Sequence, residues 1–202
     1  MTPRETAASY DKIASHWNSD KFDRENGIGP HRRAIQFIPQ KGSAIDIGCG
    51  ASGRIIDLLL AEGFSVEGLD LSSTMLRFAK ERHPEVRFHH VDFCEWHPSK
   101  TYDFVSAWDS VWHIPLSEQH TALKKLCGLL NPNGILIFST GGLDHPGHIT
   151  NPCFGEPLYH AGWSIKELPR ALEEHHCTCL HLEFDQFPEK HVYVIARKDA
   201  AP

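Results

Sequence analysis

The sequence predicts an α/β fold, a three-layer sandwich built on a doubly wound, mostly parallel sheet. Three observations predict it. Between residues 44 and 139, short apolar runs alternate with segments of helical spacing, the pattern of βαβ units. A glycine turn, Gly48-Cys49-Gly50-Ala51-Ser52-Gly53, joins the first apolar run to the first of those helices. Near the C-terminus, runs at 177–184 and 191–196 are separated by only six residues, Asp185 to Lys190. So short a link cannot hold a helical crossover and implies an antiparallel hairpin.

The elements follow in order. Residues 5–17 read as an N-terminal helix, with Ala8, Ile13 and Trp17 on one face. Residues 18–30 are polar, carry Gly27 and Gly29, and read as a loop able to fold over a site. A second helix at 31–37 is stopped by Pro39 and Gly42. Strands are expected at 44–48, 64–69, 86–90, 102–107 and 135–139, and helices at 53–62, 73–82 and 117–130. Asn131-Pro132-Asn133-Gly134 marks a turn before the fifth strand. Residues 141–163 hold five glycines and three prolines without clear period, so they read as a long loop of the kind that covers binding sites. A helix at about 167–175 precedes the hairpin.

Composition bounds the function. The chain has 202 residues, 41% hydrophobic and 23% charged, with a net charge of −6. That is an ordinary globular composition for one domain over 1–202, with 1–40 as a helical cap and 141–163 as a substrate loop. The negative balance argues against nucleic acid as a partner. No apolar run is long enough to cross a membrane, and the polar first ten residues are not a secretory leader. The six cysteines lie mostly in strand and helix patterns, so reduced thiols in a cytoplasmic protein are expected.

The chemistry concentrates at the first strand. Gly48, Gly50 and Gly53 satisfy G-x-G-x-x-G, a weak signal by itself. Asp46, two residues before the first glycine, would repel a pyrophosphate and attract an ammonium group. Asp46-Ile47-Gly48-Cys49-Gly50 resembles the first motif of class I S-adenosylmethionine-dependent methyltransferases, D-x-G-C/T-G. The resemblance covers residues 44–134 by motif and the terminal hairpin by topology. It implies the Rossmann-like class I fold, with strand order 3-2-1-4-5-7-6 and an antiparallel C-terminal hairpin, and S-adenosyl-L-methionine as cofactor.

Ligands of such sheets bind at the carboxyl ends of the strands, near the reversal of strand order. Asp70 follows the second strand and is placed to accept two ribose hydroxyls. Asp92 follows the third and is placed to accept from an adenine amine. In the resembled family these positions bind ribose and adenine. Leu71, Met75 and Phe93 would supply apolar walls and Trp108 would lie beside them, while Gly48, Cys49 and Gly50 form the turn. Tyr10, in Tyr10-Asp11-Lys12-Ile13-Ala14, resembles a Y-D-x-I-A segment that helps cover the cofactor in small-molecule methyltransferases. Arg32 and Arg33 could reach the cofactor carboxylate and read equally well as solvated helix residues. Asp70 also suits a turn or helix cap before Ser72, and it suits an NAD-dependent oxidoreductase, which wants an acid about twenty residues beyond its glycines.

Methyl transfer from a sulfonium is an in-line displacement that needs alignment, and a base only where the acceptor arrives protonated. Residues 107–114 follow the fourth strand and, in the resembled fold, face the methyl. They lack the N/D-P-P-Y/F sequence of amino methyltransferases, which points to a small-molecule acceptor methylated at oxygen, nitrogen or a softer atom. His113 is the base candidate, with Asp109 as its orienter or as a binder of a cationic acceptor. Trp17, Trp108, Trp112, Tyr159 and Trp163 are candidate pocket walls, of which at least two are expected in the core. Cys177, Cys179 and His181 alternate onto one strand face and read as core rather than as metal ligands. A protein that binds the cofactor without methylating remains a second reading.

Overall fold

One nine-stranded sheet organises the chain, and its strand order fixes where a ligand can enter. The computed structural model describes residues 1–200. β1 (Ser43–Ile47), β2 (Ser65–Asp70), β3 (Arg87–His90), β4 (Tyr102–Ala107) and β5 (Leu130–Leu143) run parallel in the order 3-2-1-4-5. β9 (His191–Lys198) pairs antiparallel with β5, and β8 (Cys177–Glu183) with β9. With these two as sixth and seventh strands in chain order, the order is the expected 3-2-1-4-5-7-6. It reverses between β1 and β4, which opens a crevice at the carboxyl ends of those strands.

Residues on the central strands alternate between two apolar layers. Ile45, Val105, Leu136 and Phe138 face α5 (Gln119–Gly128) and α6 (Leu168–Glu173). Ala44, Phe104, Ile135 and Ile137 face α2 (Ile28–Ile35), α3 (Arg54–Ala61) and Leu76 of α4 (Ser73–Arg82). The N-terminal helix α1 (Pro3–Ile13) is shorter than expected and tightens into a 3₁₀ turn at Ala14–His16. Thr2 and Glu5 start it with a capping box. Asp11, on its inner side, accepts from the Thr74 amide and the Ser72 hydroxyl, which ties α1 to the first turn of α4.

The structure corrects the reading of 141–163 as a loop. β5 continues to Leu143, and β6 (Gly147–Cys153) and β7 (Glu156–Ser164) form an antiparallel hairpin that joins the sheet through Gly141↔Gly162 to Leu143↔Ser164. The glycines serve packing here. A Cβ on Gly141 would meet the Gly162 Cα at 3.1 Å, so only two glycines let β7 come this close. Phe154 and Gly155 both have positive φ (48° and 87°), as a two-residue hairpin turn with right-handed strand twist requires.

The His/Cys strand also departs from expectation in one respect. Cys177 and Cys179 face the α5–α6 layer, but a register shift between Cys179 and His181 turns His181 to the other face. There it bonds Tyr193, Glu183 and Arg33. This takes Arg33 away from the crevice, and Arg32 is exposed, so neither lines the cavity expected for them. Among the described residues no helix is long and apolar enough to cross a membrane.

Candidate active site

The crevice holds a cavity of about 360 Å³, within the range of small-molecule sites. Its floor is the turn after β1. Gly48, Gly50 and Gly53 all have positive φ (73°, 60° and 67°), and a Cβ on Gly50 would point into open space. The turn's amides are already committed. Gly48 N–H and Cys49 N–H donate to the Leu69 carbonyl (2.7 and 3.0 Å), and Gly50 N–H donates to Asp70 Oδ2 (2.9 Å). Three amides that a phosphate-binding turn would aim at its ligand are instead latched to β2.

Asp70, at the end of β2, lines the cavity. Its other oxygen accepts from Ser72 N–H at 2.8 Å. Each oxygen keeps one lone pair free, so the carboxylate can accept two further hydrogen bonds. Burial raises its pKa against the opposing effect of the amides of Ser72, Gly50 and Leu71. A buried acid in this state gains from an adjacent cation. Leu71, Met75, Asp92, Phe93, Trp108 and Tyr10 line the same cavity. Asp92 also accepts from the Cys94 amide at 2.8 Å, which fixes its carboxylate.

Asp46 is placed differently from expectation. Its side chain lies beneath the floor, 4% exposed, and accepts from Ser106 Oγ at 2.7 Å. Ser106 Oγ also lies 3.0 Å from His31 Nε2, and His31 Nδ1 lies 2.7 Å from the Gly27 carbonyl. With His31 neutral and Asp46 ionised, either tautomer sets two lone pairs against each other, because Ser106 has one proton. The chain is satisfied when one more proton is held, for instance on Asp46, whose pKa burial raises to about 6. The network anchors α2 under the crevice.

Asp109 follows β4 with a strained φ of 51°. It was expected to orient His113, and the structure pairs it elsewhere. Its carboxylate accepts from Ser139 Oγ, Asn26 Nδ2 and His191 Nε2, with Arg54 Nη2 3.8 Å away. Burial raises its pKa, but His191, Arg54 and Ser139 outweigh that and hold it below the usual range. His191 is gripped from both sides, by Asp109 and Asp185. Burial lowers its pKa, and the two carboxylates more than compensate, so the net shift is upward. Arg54, the first residue of α3, donates to the Asn26 carbonyl and Ser52 Oγ and is the arginine that lines the cavity.

His113 is a hub rather than a free base. Its Nδ1 donates to the Tyr159 carbonyl at 2.6 Å, which leaves the Nε2 lone pair to accept from Tyr10 Oη (2.8 Å) and Trp112 Nε1 (3.0 Å). Burial lowers its pKa to about 4. Trp17, Trp108 and Trp112 line the cavity, whereas Trp163 packs in the core and Tyr159 is buried behind the wall. The roof is α1 together with the β6–β7 hairpin. Lys12 pairs with Glu156, and His16 stacks on Phe154 with ring centres 3.7 Å apart.

Sequence reasoning missed Arg54, His31, His191 and Asn26, and it offered His160 only as one of four metal-ligand types in the 141–163 segment, with His145, His148 and Cys153. Arg54 had a signal, since it stands where the glycine turn hands over to the helix. The others come from segments distant in sequence, and no local pattern marks them.

Comparison with known proteins bears on this geometry. The family model described as a methyltransferase domain matches residues 44–134. Those residues are a methyltransferase domain. A trans-aconitate 2-methyltransferase of Rhodopseudomonas palustris (strain BisB18) is 35% identical over 154 residues, 71% of this chain and 59% of that protein. The chain thus spans about three fifths of that relative's length. Among solved structures, the DhpI–SAH complex has a TM-score of 0.76 at 16% identity, covering 98% of both chains. A 1,6-didemethyltoxoflavin-N1-methyltransferase of Burkholderia thailandensis, with 1,6-didemethyltoxoflavin and S-adenosylhomocysteine bound, has a TM-score of 0.68 at 20% identity, covering 98% and 91%. The methyltransferase domain of this chain therefore sits in a class I methyltransferase fold, as the motif implied.

Proposed function

We propose that this chain is an S-adenosyl-L-methionine-dependent methyltransferase that acts on a small-molecule acceptor by in-line displacement. One observation carries the reading. The cavity is lined by Asp70, Asp92 and Asp109, and the turn beneath it spends its amides on β2. Such a site suits a cationic amino-acid nucleoside and lacks the row of free amides that a pyrophosphate needs. Asp70 would hold the ribose hydroxyls and Asp92 the adenine amine, between Leu71, Met75 and Phe93. Gly48, Cys49 and Gly50 would pass beneath the amino-acid end, Trp108 would flank it, and Tyr10 would cover it. The cofactor supplies an already activated sulfonium methyl when bound there.

The chain's own residues align the acceptor and exclude water, which for well-oriented reactants lowers a barrier by roughly 7–11 kcal/mol. The acceptor's room is what the cofactor residues leave, walled by Trp17, Phe22, Trp112, Cys153 and His160. In that room Asp109 is a fixed anion, and His113 braces Tyr10 and Trp112. The six cysteines are free thiols, which fits a cytoplasmic enzyme, and the net charge of −6 disfavours a nucleic-acid acceptor. Calorimetry with S-adenosylhomocysteine and with NAD tests the proposal. Binding of S-adenosylhomocysteine alone is expected, and binding of NAD alone would overturn the proposal in favour of an oxidoreductase.

A further inference from the structure

We infer that His160, and not His113, takes the proton from an acceptor that enters this cavity carrying an O–H or N–H group. The inference rests on the methyltransferase reading and deepens it. The cavity contains two histidines. His113 has both nitrogens occupied, one as donor to the Tyr159 carbonyl and the other as acceptor of two protons from Tyr10 and Trp112. To act as a base it would have to shed both donors, and Tyr10 would lose its partner inside the roof. His160, on β7, makes no such bonds. It lies edge-to-face with Trp112, at 5.7 Å between ring centres, and 4.9 Å from the His113 ring.

The Leu158 backbone, two residues earlier on the strand, is the polar group that bears on the His160 ring, and it favours an N–H on that side. The second nitrogen then carries a lone pair that no side chain of the described residues claims. Half-burial keeps the ring neutral, and partial exposure leaves a route for the proton to solvent. His113, 4.9 Å away, is itself neutral, and Arg54, the arginine among the described lining residues, is engaged by the Asn26 carbonyl and Ser52 Oγ, so no free cation competes for the acceptor.

The step balances. The acceptor's lone pair forms the bond to the methyl carbon, the carbon–sulfur bond breaks with its electrons to sulfur, and the acceptor's proton passes to the free His160 nitrogen. A base in this place is useful only for an acceptor that arrives protonated, such as a phenol, an alcohol or a ring N–H. A carboxylate arrives already deprotonated and needs none.

Carbethoxylation by diethyl pyrocarbonate reads lone-pair availability directly, because the reagent attacks neutral imidazole nitrogens. The full chain is first titrated with S-adenosylhomocysteine by calorimetry, then modified at pH 7 and mapped by peptide mass spectrometry. In the loaded protein His160 is expected to react at least tenfold faster than His113. Long-range ¹H–¹⁵N spectra should show one lone-pair nitrogen on His160 whose shift is unchanged by Tyr10→Phe, while that of His113 moves. Equal or reversed reactivity, or a His160 lone pair that follows Tyr10→Phe, overturns the inference. Failure to bind S-adenosylhomocysteine in the first step instead sinks the methyltransferase reading and leaves the order of histidine reactivity as a separate result.

Discussion

The two ends of the cavity are built by different means. At the cofactor end, Asp70, the glycine turn and Ser72 lie within 25 residues of one another, and backbone amides hold the key carboxylate. At the proposed acceptor end, Tyr10, Trp112 and His113 hold one another through side chains, and only the Tyr159 carbonyl, from a third stretch, adds a backbone contact. Amides cannot be mutated away, whereas a side-chain hub fails when any member changes. The first end is thus suited to a constant ligand, and the second can be rebuilt for a new acceptor without disturbing the first.

The sharpest break in that comparison is Asp70→Ala. On the proposed reading it removes the acceptor of two ribose hydroxyls, and it orphans the Gly50 amide; each charge-assisted hydrogen bond contributes about 1.5–3 kcal/mol. Calorimetry with S-adenosylhomocysteine should show a loss of affinity of about 100-fold or more. Asp70→Asn keeps one carbonyl acceptor and should lose less. Equal affinity in both variants and the parent would remove Asp70 from the binding site.

Second in size is the response of the hub to acid. The folded pKa of His113 is lowered to about 4 from an ordinary 6.5, so the unfolded chain binds the extra proton first as pH falls. Its contribution is full above the unfolded value and is lost as pH falls toward the folded one. Between pH 7 and 5 that is on the order of 2 kcal/mol. His191 has the opposite sign. Its pKa is raised by Asp109 and Asp185, so its contribution is full below 6.5 and is lost as pH rises through the folded value. Urea midpoints measured across this range should fall toward pH 5. The fall should shrink in His113→Gln and steepen in His191→Gln.

The same contrast explains what the sequence disclosed. Asp70, Asp92 and the glycines were legible because each closes a strand or a turn, and local spacing fixes that role. The parallel sheet and its closing hairpin were legible because helical crossovers and a short C-terminal link leave few topologies, whereas the strand order came from the resemblance that Asp46-Ile47-Gly48-Cys49-Gly50 carries. The β6–β7 hairpin was not. Its turn is Phe154-Gly155 rather than the Asn-Gly or Asp-Gly that usually announces positive φ at both residues, and its glycines serve close strand packing. The partner of Asp109 was illegible for another reason. His191 lies 82 residues further on, and only the antiparallel return of β9 beside β5 brings it there.

Tyr10→Phe tests the hub more gently. It removes one neutral hydrogen bond, worth about 1 kcal/mol, and leaves the Trp112 donor on His113. Stability should drop by about that amount. S-adenosylhomocysteine should dissociate several-fold faster, by stopped-flow fluorescence, while Asp70 contacts stay intact. An unchanged dissociation rate would mean that α1 does not cover the ligand.

Phe154 has the smallest expected effect on stability and separates roof closure from folding. It is 62% exposed, sits in the left-handed region, and lies flat on His16 with an interplanar angle of 4°. Replacing it with alanine loses the stack, about 0.5–1.5 kcal/mol, and keeps the backbone strain. Phe154→Gly loses the same stack but relieves roughly 1–2 kcal/mol of left-handed strain, so the two effects nearly cancel. The glycine variant should therefore match the parent in urea midpoint, while amide exchange across residues 147–156 quickens because the hairpin tip no longer grips α1. If exchange stays slow in both variants, the Lys12–Glu156 pair and β5–β7 pairing hold the roof alone, and the aromatic tip is free to vary with the acceptor.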